Sequence, residues 1–233
     1  MKPRIYLVII IGLLVNLHMV TAQVAFAPAV PYTVGRNPRA VTAADINGDG
    51  KVDLIIANAS DNTLLVLTNN GSGIFGSNAT YTVGLFPTDV IAADVNGDGK
   101  MDLICTDEDA HQLSVMTNNG SGGFVLASTL NVFGMPTWLT TADVNGDGKL
   151  DLISANYMLN SIEVFTNMGG GVFMAGSTNI VTGPQATVTS VAVADVNGDG
   201  KLDLIAGTPA SLTSGTLVVF TNNGSGEFVS NAT

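Results

Sequence analysis

Oxygen-bearing side chains recur at one fixed spacing in four places: DINGDGKVD from Asp45, DVNGDGKMD from Asp94, and DVNGDGKLD from both Asp143 and Asp195. Each phrase sets Asp at its first, fifth and ninth positions, Asn at the third and Gly at the sixth. Such spacing wraps a short loop around a hard cation, and Ca²⁺ is the cation an all-oxygen loop of this size prefers. Polar turn chemistry alone explains one copy easily and four poorly. Three carboxylates crowded into nine residues repel one another, and a divalent ion would reverse that repulsion and couple its binding to folding. An EF-hand would need a bidentate Glu at the twelfth position between two helices, but Ile56, Cys105, Ser154 and Ala206 stand there.

No catalytic constellation accompanies the loops. His111 is isolated in a turn, His18 lies in the leader, and no Ser, Cys or Lys has a recognisable base partner. A glycosidase would need two further carboxylates facing a cleft; Glu108, Asp109, Glu163 and Glu227 are the available donors, and no spacing pairs them. Cys105, the single cysteine, sits inside the apolar run DLIC and reads as a small core residue. The expectation is a protein that is not an enzyme.

The chain opens with Lys2 and Arg4, an apolar run from Ile5 to Val20, and small residues at Val20-Thr21-Ala22, the pattern of a cleaved export signal over residues 1–22. An uncleaved anchor is the alternative, although the run is short for a bilayer span. Export implies a secreted, periplasmic or cell-surface protein with no stable membrane insertion after cleavage. With one cysteine it can form no internal disulfide, so core and metal must hold it together. The formal net charge is −11, and 12 of the 19 acidic residues belong to the four loops. With no basic stripe to displace counterions, a nucleic-acid partner is excluded. Six Asn-x-Ser/Thr sequons occur (Asn58, Asn70, Asn78, Asn119, Asn223, Asn231); three of them lie in or beside the Gly-rich turns and are accounted for by turn chemistry, and none carries an assigned function.

The loop starts recur after 49, 49 and 52 residues, a period that signals a propeller, solenoid or array. Each loop is preceded by a short stretch ending in Ala and followed by a compact apolar run, DLIIAN, DLICTD, DLISAN or DLIAGT. Runs this short and apolar on both faces fit strands between layers. A third strand follows as TLLVLT, QLSVMT, SIEVFT and TLVVFT, whose variable third position (Ser114, Glu163) reads as its more exposed face. Turns NNGSG (Asn69, Asn118, Asn222) and NMGGG (Asn167) then lead to Phe75, Phe124, Phe173 and Phe228, each opening a more polar outer strand. Four antiparallel strands per unit make a propeller blade, and blades must stack to bury their faces. The expected fold is an all-β propeller with four repeats at about 36–84, 85–133, 134–183 and 184–233. The N-terminal FAPAVPYTVG is similar to FGSNATYTVG from Phe75. It is therefore a candidate strand for completing the last blade and closing a four-blade ring; the alternative is part of a larger propeller.

The pattern ADxNGDGKxDLI, the 50-residue unit and the NNGSGxF turn together resemble the FG-GAP or VCBS-type repeat, the Ca²⁺-loop blade of integrin α-subunit heads. The resemblance covers essentially the whole chain after the leader. It implies a propeller, commonly seven-bladed, with up to four Ca²⁺ here. The implied side-chain ligands are Asp45, Asn47, Asp49 and Asp53; Asp94, Asn96, Asp98 and Asp102; Asp143, Asn145, Asp147 and Asp151; and Asp195, Asn197, Asp199 and Asp203. The carbonyls of Lys51, Lys100, Lys149 and Lys201 complete the implied sets. The function that follows is a secreted calcium-binding scaffold for protein or cell-surface adhesion. A lectin-like propeller using Trp138 for sugar stacking, and the propeller part of a larger extracellular enzyme, are the alternatives.

Overall fold

The computed structural model describes residues 28–181, 187–209 and 215–230; the leader lies outside them, as do the first two residues of the FAPAVPYTVG segment. Residues 32–233 form one compact unit whose regular structure is almost entirely strand. Four sheets, each antiparallel and each in sequence order, make four blades. Blade one comprises β1 (Pro38–Ala44), β2 (Asp53–Asn58), β3 (Thr63–Asn69) and β4 (Phe75–Thr82). Blade two comprises β5 (Pro87–Ala93), β6 (Asp102–Asp107), β7 (Gln112–Asn118) and β8 (Phe124–Asn131). Blade three comprises β9 (Pro136–Ala142), β10 (Asp151–Asn156), β11 (Ser161–Asn167) and β12 (Phe173–Ile180). Blade four comprises β13 (Ser190–Ala194), β14 (Asp203–Pro209), β15 (Gly215–Asn222) and β16 (Phe228–Ser230).

The Asp loop is the hairpin between the first two strands of each blade. Register follows from the repeat: Ile55 pairs with Val66, Ile104 with Val115, Ile153 with Val164 and Ile205 with Val219. A one-residue irregularity recurs between the third and fourth strands of the first three blades, at Val66/Leu67, Val115/Met116 and Glu163/Phe165. An irregularity of this kind bends its strand and increases the local twist.

The core lies between blades. Ile55, Leu64 and Val66 of blade one pack on Val90, Leu103 and Met116 of blade two. Ile104, Leu113 and Val115 meet Leu139, Leu152 and Phe165, and Ile153, Ile162 and Val164 meet Val191, Leu204 and Phe220. In blades one to three both faces of the second and third strands are therefore covered, which is why their DLI runs are apolar throughout. Inner strands pack in the series β1 on β5, β5 on β9 and β9 on β13.

Two expectations are corrected. The third position of the third strand is not an exposed face: Leu65, Ser114 and Glu163 are all buried, because this face meets the preceding blade or the segment before blade one. Nor does the YTVG segment complete the last blade, whose sheet among the described residues runs β13–β14–β15–β16. Tyr32 instead lies edge-on to Phe75 at 5.5 Å, and Tyr32 and Val34 pack against Ile56, Leu65 and Leu67. Tyr81, at the end of blade one, does the same to Phe124 of blade two, also at 5.5 Å. The segment thus occupies the place taken elsewhere by the tail of a preceding blade.

Candidate metal centre

In the first loop the carboxylate of Asp45 gathers the backbone around itself. Its Oδ1 accepts from the Gly48 and Asp49 amides at 2.9 and 3.2 Å, and its Oδ2 from Gly50 at 2.8 Å. Asn47 Oδ1 accepts from the Asp49 amide at 2.9 Å and Asp49 Oδ1 from Lys51 at 2.9 Å. Gly48 and Gly50 adopt φ of 75° and 79°, a left-handed conformation that suits glycine. The pattern repeats around Asp94, Asp143 and Asp195. The Gly50 amide foremost, helped by the Gly48 and Asp49 amides, outweighs the opposing effect of burial and holds Asp45 below the usual carboxylate range; Asp195 is held down in the same way by Gly200. These are carboxylates kept ionised at the tip of a loop.

A cationic group already stands beside the fifth position. The ammonium groups of Lys51, Lys100 and Lys149 lie 3.2, 3.2 and 2.7 Å from Oδ2 of Asp49, Asp98 and Asp147. That pairing, led by the Lys149 side-chain hydrogen bond, lowers Asp147. Lys201 differs, donating to the Asn223 carbonyl at 2.8 Å.

The ninth-position carboxylates sit beneath the loops, fully buried. Asp53 accepts from the Ile46 amide at 3.4 Å and the Asn69 amide at 2.8 Å, so it ties the loop to the end of β3. Asp102, Asp151 and Asp203 make the same two bonds, to Val95 and Asn118, Val144 and Asn167, and Val196 and Asn222. Burial pushes Asp102 and Asp151 up, against the lowering effect of the Asn118 and Asn167 amides. The structure therefore brings positions one, three, five and seven together in the wound loop and sets position nine below as its anchor. Among the described residues no three Asp, Glu, His or Cys side chains converge closely enough to grip an ion as they stand. The donor chemistry nevertheless fits a hard cation, since every group offered is a carboxylate, an amide oxygen or a carbonyl.

One set of functional residues was not apparent from sequence. Asn118 Nδ2 donates to Met101 O in its own blade at 2.9 Å and to Ile46 O in the loop of the preceding blade at 2.7 Å. Asn167 does likewise to Leu150 O and Val95 O, and Asn222 to Leu202 O and Val144 O. Each of the first three loops is thus fastened to the following blade. The available signal was that the first Asn of the turn persists in NMGGG while the second becomes Met168. Between successive loops lie small clefts of about 180 Å³ (from Asp94 to Lys149) and 90 Å³ (from Asp143 to Lys201).

The remaining candidates are dispersed. His111 takes φ 53° in the β6–β7 turn and bonds to the Gly134 carbonyl. Cys105 is buried beside Asp107. Glu163 is buried on Phe133 N, while Asp109 and Glu227 stand apart from it in other blades. Trp138 is 44% exposed on β9.

The FG-GAP-like repeat matches residues 45–105, 94–154 and 143–206, and the FG-GAP repeat matches 187–226. This chain belongs to the FG-GAP repeat family. No curated protein matches the chain. Among solved structures, the FG-GAP chain is similar to the Vibrio cholerae biofilm matrix protein Bap1, with 22% identity and a TM-score of 0.52 over 80% of this chain and 27% of that one. A protein from Lactobacillus plantarum gives 14% identity and a TM-score of 0.59 over 85% and 55%. BBS1N, solved in complex with ARL6DN, gives 14% identity and a TM-score of 0.54 over 84% and 54%. These likenesses establish the fold, and the FG-GAP chain spans 27 to 55% of the length of the three structures.

Proposed function

We propose that the protein is a calcium-stabilised, non-catalytic propeller module that works outside the cell and presents its blades for adhesion to a protein or cell-surface partner. The observation that carries the reading is the coupling of loop to joint. Asp45, Asn47, Asp49 and the Lys51 carbonyl, with their three sets of counterparts, would hold the ion at the loop tip. Asp53 and its counterparts secure the loop root, and the next blade's Asn grips the carbonyl at the loop's second position. Bound Ca²⁺ would supply positive charge that relieves repulsion among the loop carboxylates. Ordering a loop in this way also orders a blade joint, so that blade stacking depends on extracellular calcium. The likeness to a biofilm matrix protein and the export-type leader support the extracellular, adhesive part of the reading.

Thermal melting and equilibrium dialysis test it together. At an ion concentration tenfold above Kd each site contributes about 1.4 kcal/mol. Millimolar Ca²⁺ should therefore raise Tm clearly over excess chelator, with Asp143→Ala reducing both the rise and the number of ions bound. Immobilised protein should retain host cells in Ca²⁺ and release them in chelator. An identical Tm in the two conditions, with no ion recovered, would sink the calcium role; cell retention indifferent to calcium would sink its link to adhesion.

A further inference from the structure

The three internal blade joints share one construction. The leading blade offers the residue at the loop's second position (Ile46, Val95, Val144; 2, 2 and 3% exposed) and one from its third strand (Leu64, Leu113, Ile162; all 0% exposed). The trailing blade covers them with Val90, Leu139 or Val191 (2, 2 and 5% exposed) and sends its turn Asn to the carbonyl at that second position. On blade four the same leading surface is exposed, Val196 at 51% and Leu217 at 69%. Blade one leaves the counterpart of the trailing surface exposed. Val41, the counterpart of Val90, is 63% exposed, and among the described residues Asn69 Nδ2 donates only to Val52 O within its own blade. The edge-on tyrosine seen between blades one and two is already in place on blade one as Tyr32, whose hydroxyl bonds to Gly73 O and Phe75 N, as Tyr81 bonds to Gly122 O and Phe124 N.

We propose that the open face of blade four docks onto the rear of blade one of a second copy of this chain, with Asn69 of that copy reaching the Val196 carbonyl. The two surfaces match in both respects that define the internal joints, an apolar column set against an apolar column and a free amide donor set against a loop carbonyl. The occupant is therefore a blade of this same repeat. Such a contact is head-to-tail, because the two faces differ. Copies joined by it form a ring if the rotation closes and a filament if it does not.

Sedimentation velocity of the purified protein, in a concentration series to about 100 μM, should show species larger than the monomer that grow with concentration. Leu217→Asp and Val41→Asp each remove one of the two faces, and each alone should be monomeric, with association weakened at least tenfold. Both replaced side chains are solvent-exposed, so at a dilution where the parent is monomeric each variant should keep its melting temperature. An equimolar mixture of the two retains one good face on each partner and should yield a heterodimer and nothing larger. A monomeric parent throughout the series would overturn the proposal. So would a mixture that stays monomeric, or either variant dimerising alone, which would mean a symmetric contact.

Discussion

Asp107 stands where blades one and three carry Asn58 and Asn156, and it is fully buried. Its carboxylate takes hydrogen bonds from Ser114 Oγ at 2.6 Å, Gln112 Nε2 at 3.3 Å and Cys105 Sγ at 3.4 Å. Burial outweighs these donors and pushes its pKa up. A carboxyl raised in the folded state binds more protons there than in the unfolded chain, so stability falls as pH rises from the ordinary aspartate value through the raised one. The penalty is larger at pH 7 than at pH 4. Asp107→Asn should therefore melt higher than the parent at pH 7, by about 2–4 °C, with the gap closing towards pH 4. A gap that does not change across melts at pH 4, 5, 6 and 7 would show that the buried charge is not its cause. The loop aspartates were legible in sequence because the loop that carries them is local, with every oxygen donor inside nine residues. Ser114 and Glu163 were misread because polarity was taken for exposure. What buries Glu163 includes Phe133, whose amide reaches its Oε2 at 3.0 Å from 30 residues away, and no local pattern announces that.

At the scale of the strand and turn, the turn asparagines are joints as much as corners. Losing a buried amide that bonds two carbonyls removes both bonds and leaves two acceptors unpaired, a cost of about 2–3 kcal/mol. Asn167→Ala should carry that cost, since its amide holds Val95 O and Leu150 O at 2.8 and 3.0 Å. Asn69→Ala, with the single bond to Val52 O, should cost about 1 kcal/mol. Urea denaturation at fixed calcium distinguishes them, and equal losses would mean that the cross-blade bond adds nothing. The strands themselves were readable from the repeat: short runs, Gly-rich turns and a Phe after each turn place all sixteen in order. The cross-blade bond was not, because donor and acceptor are 72 residues apart for Asn118 and Asn167 and the Asn is equally well explained as turn chemistry.

For the whole molecule, the repeat predicted stacked blades but not which surface each end presents. The N-terminal YTVG illustrates why. Its likeness to the end of an outer strand was real, yet likeness specifies a role in the repeat and not a particular blade, and packing of Tyr32 on Phe75 decided the matter. A stack held by nearest-neighbour joints has no single centre, so its stability is approximately the sum of its blades and the contacts between them. Blade four has one such contact where blades two and three have two. In dilute solution its β14 amides should exchange with deuterium faster than those of β6 and β10, each of which is wholly buried; uniform protection across the four blades would contradict this. Opening would then spread inward from this side, and a protease would make its first productive cuts there, shedding the terminal sheet while the other three remain folded.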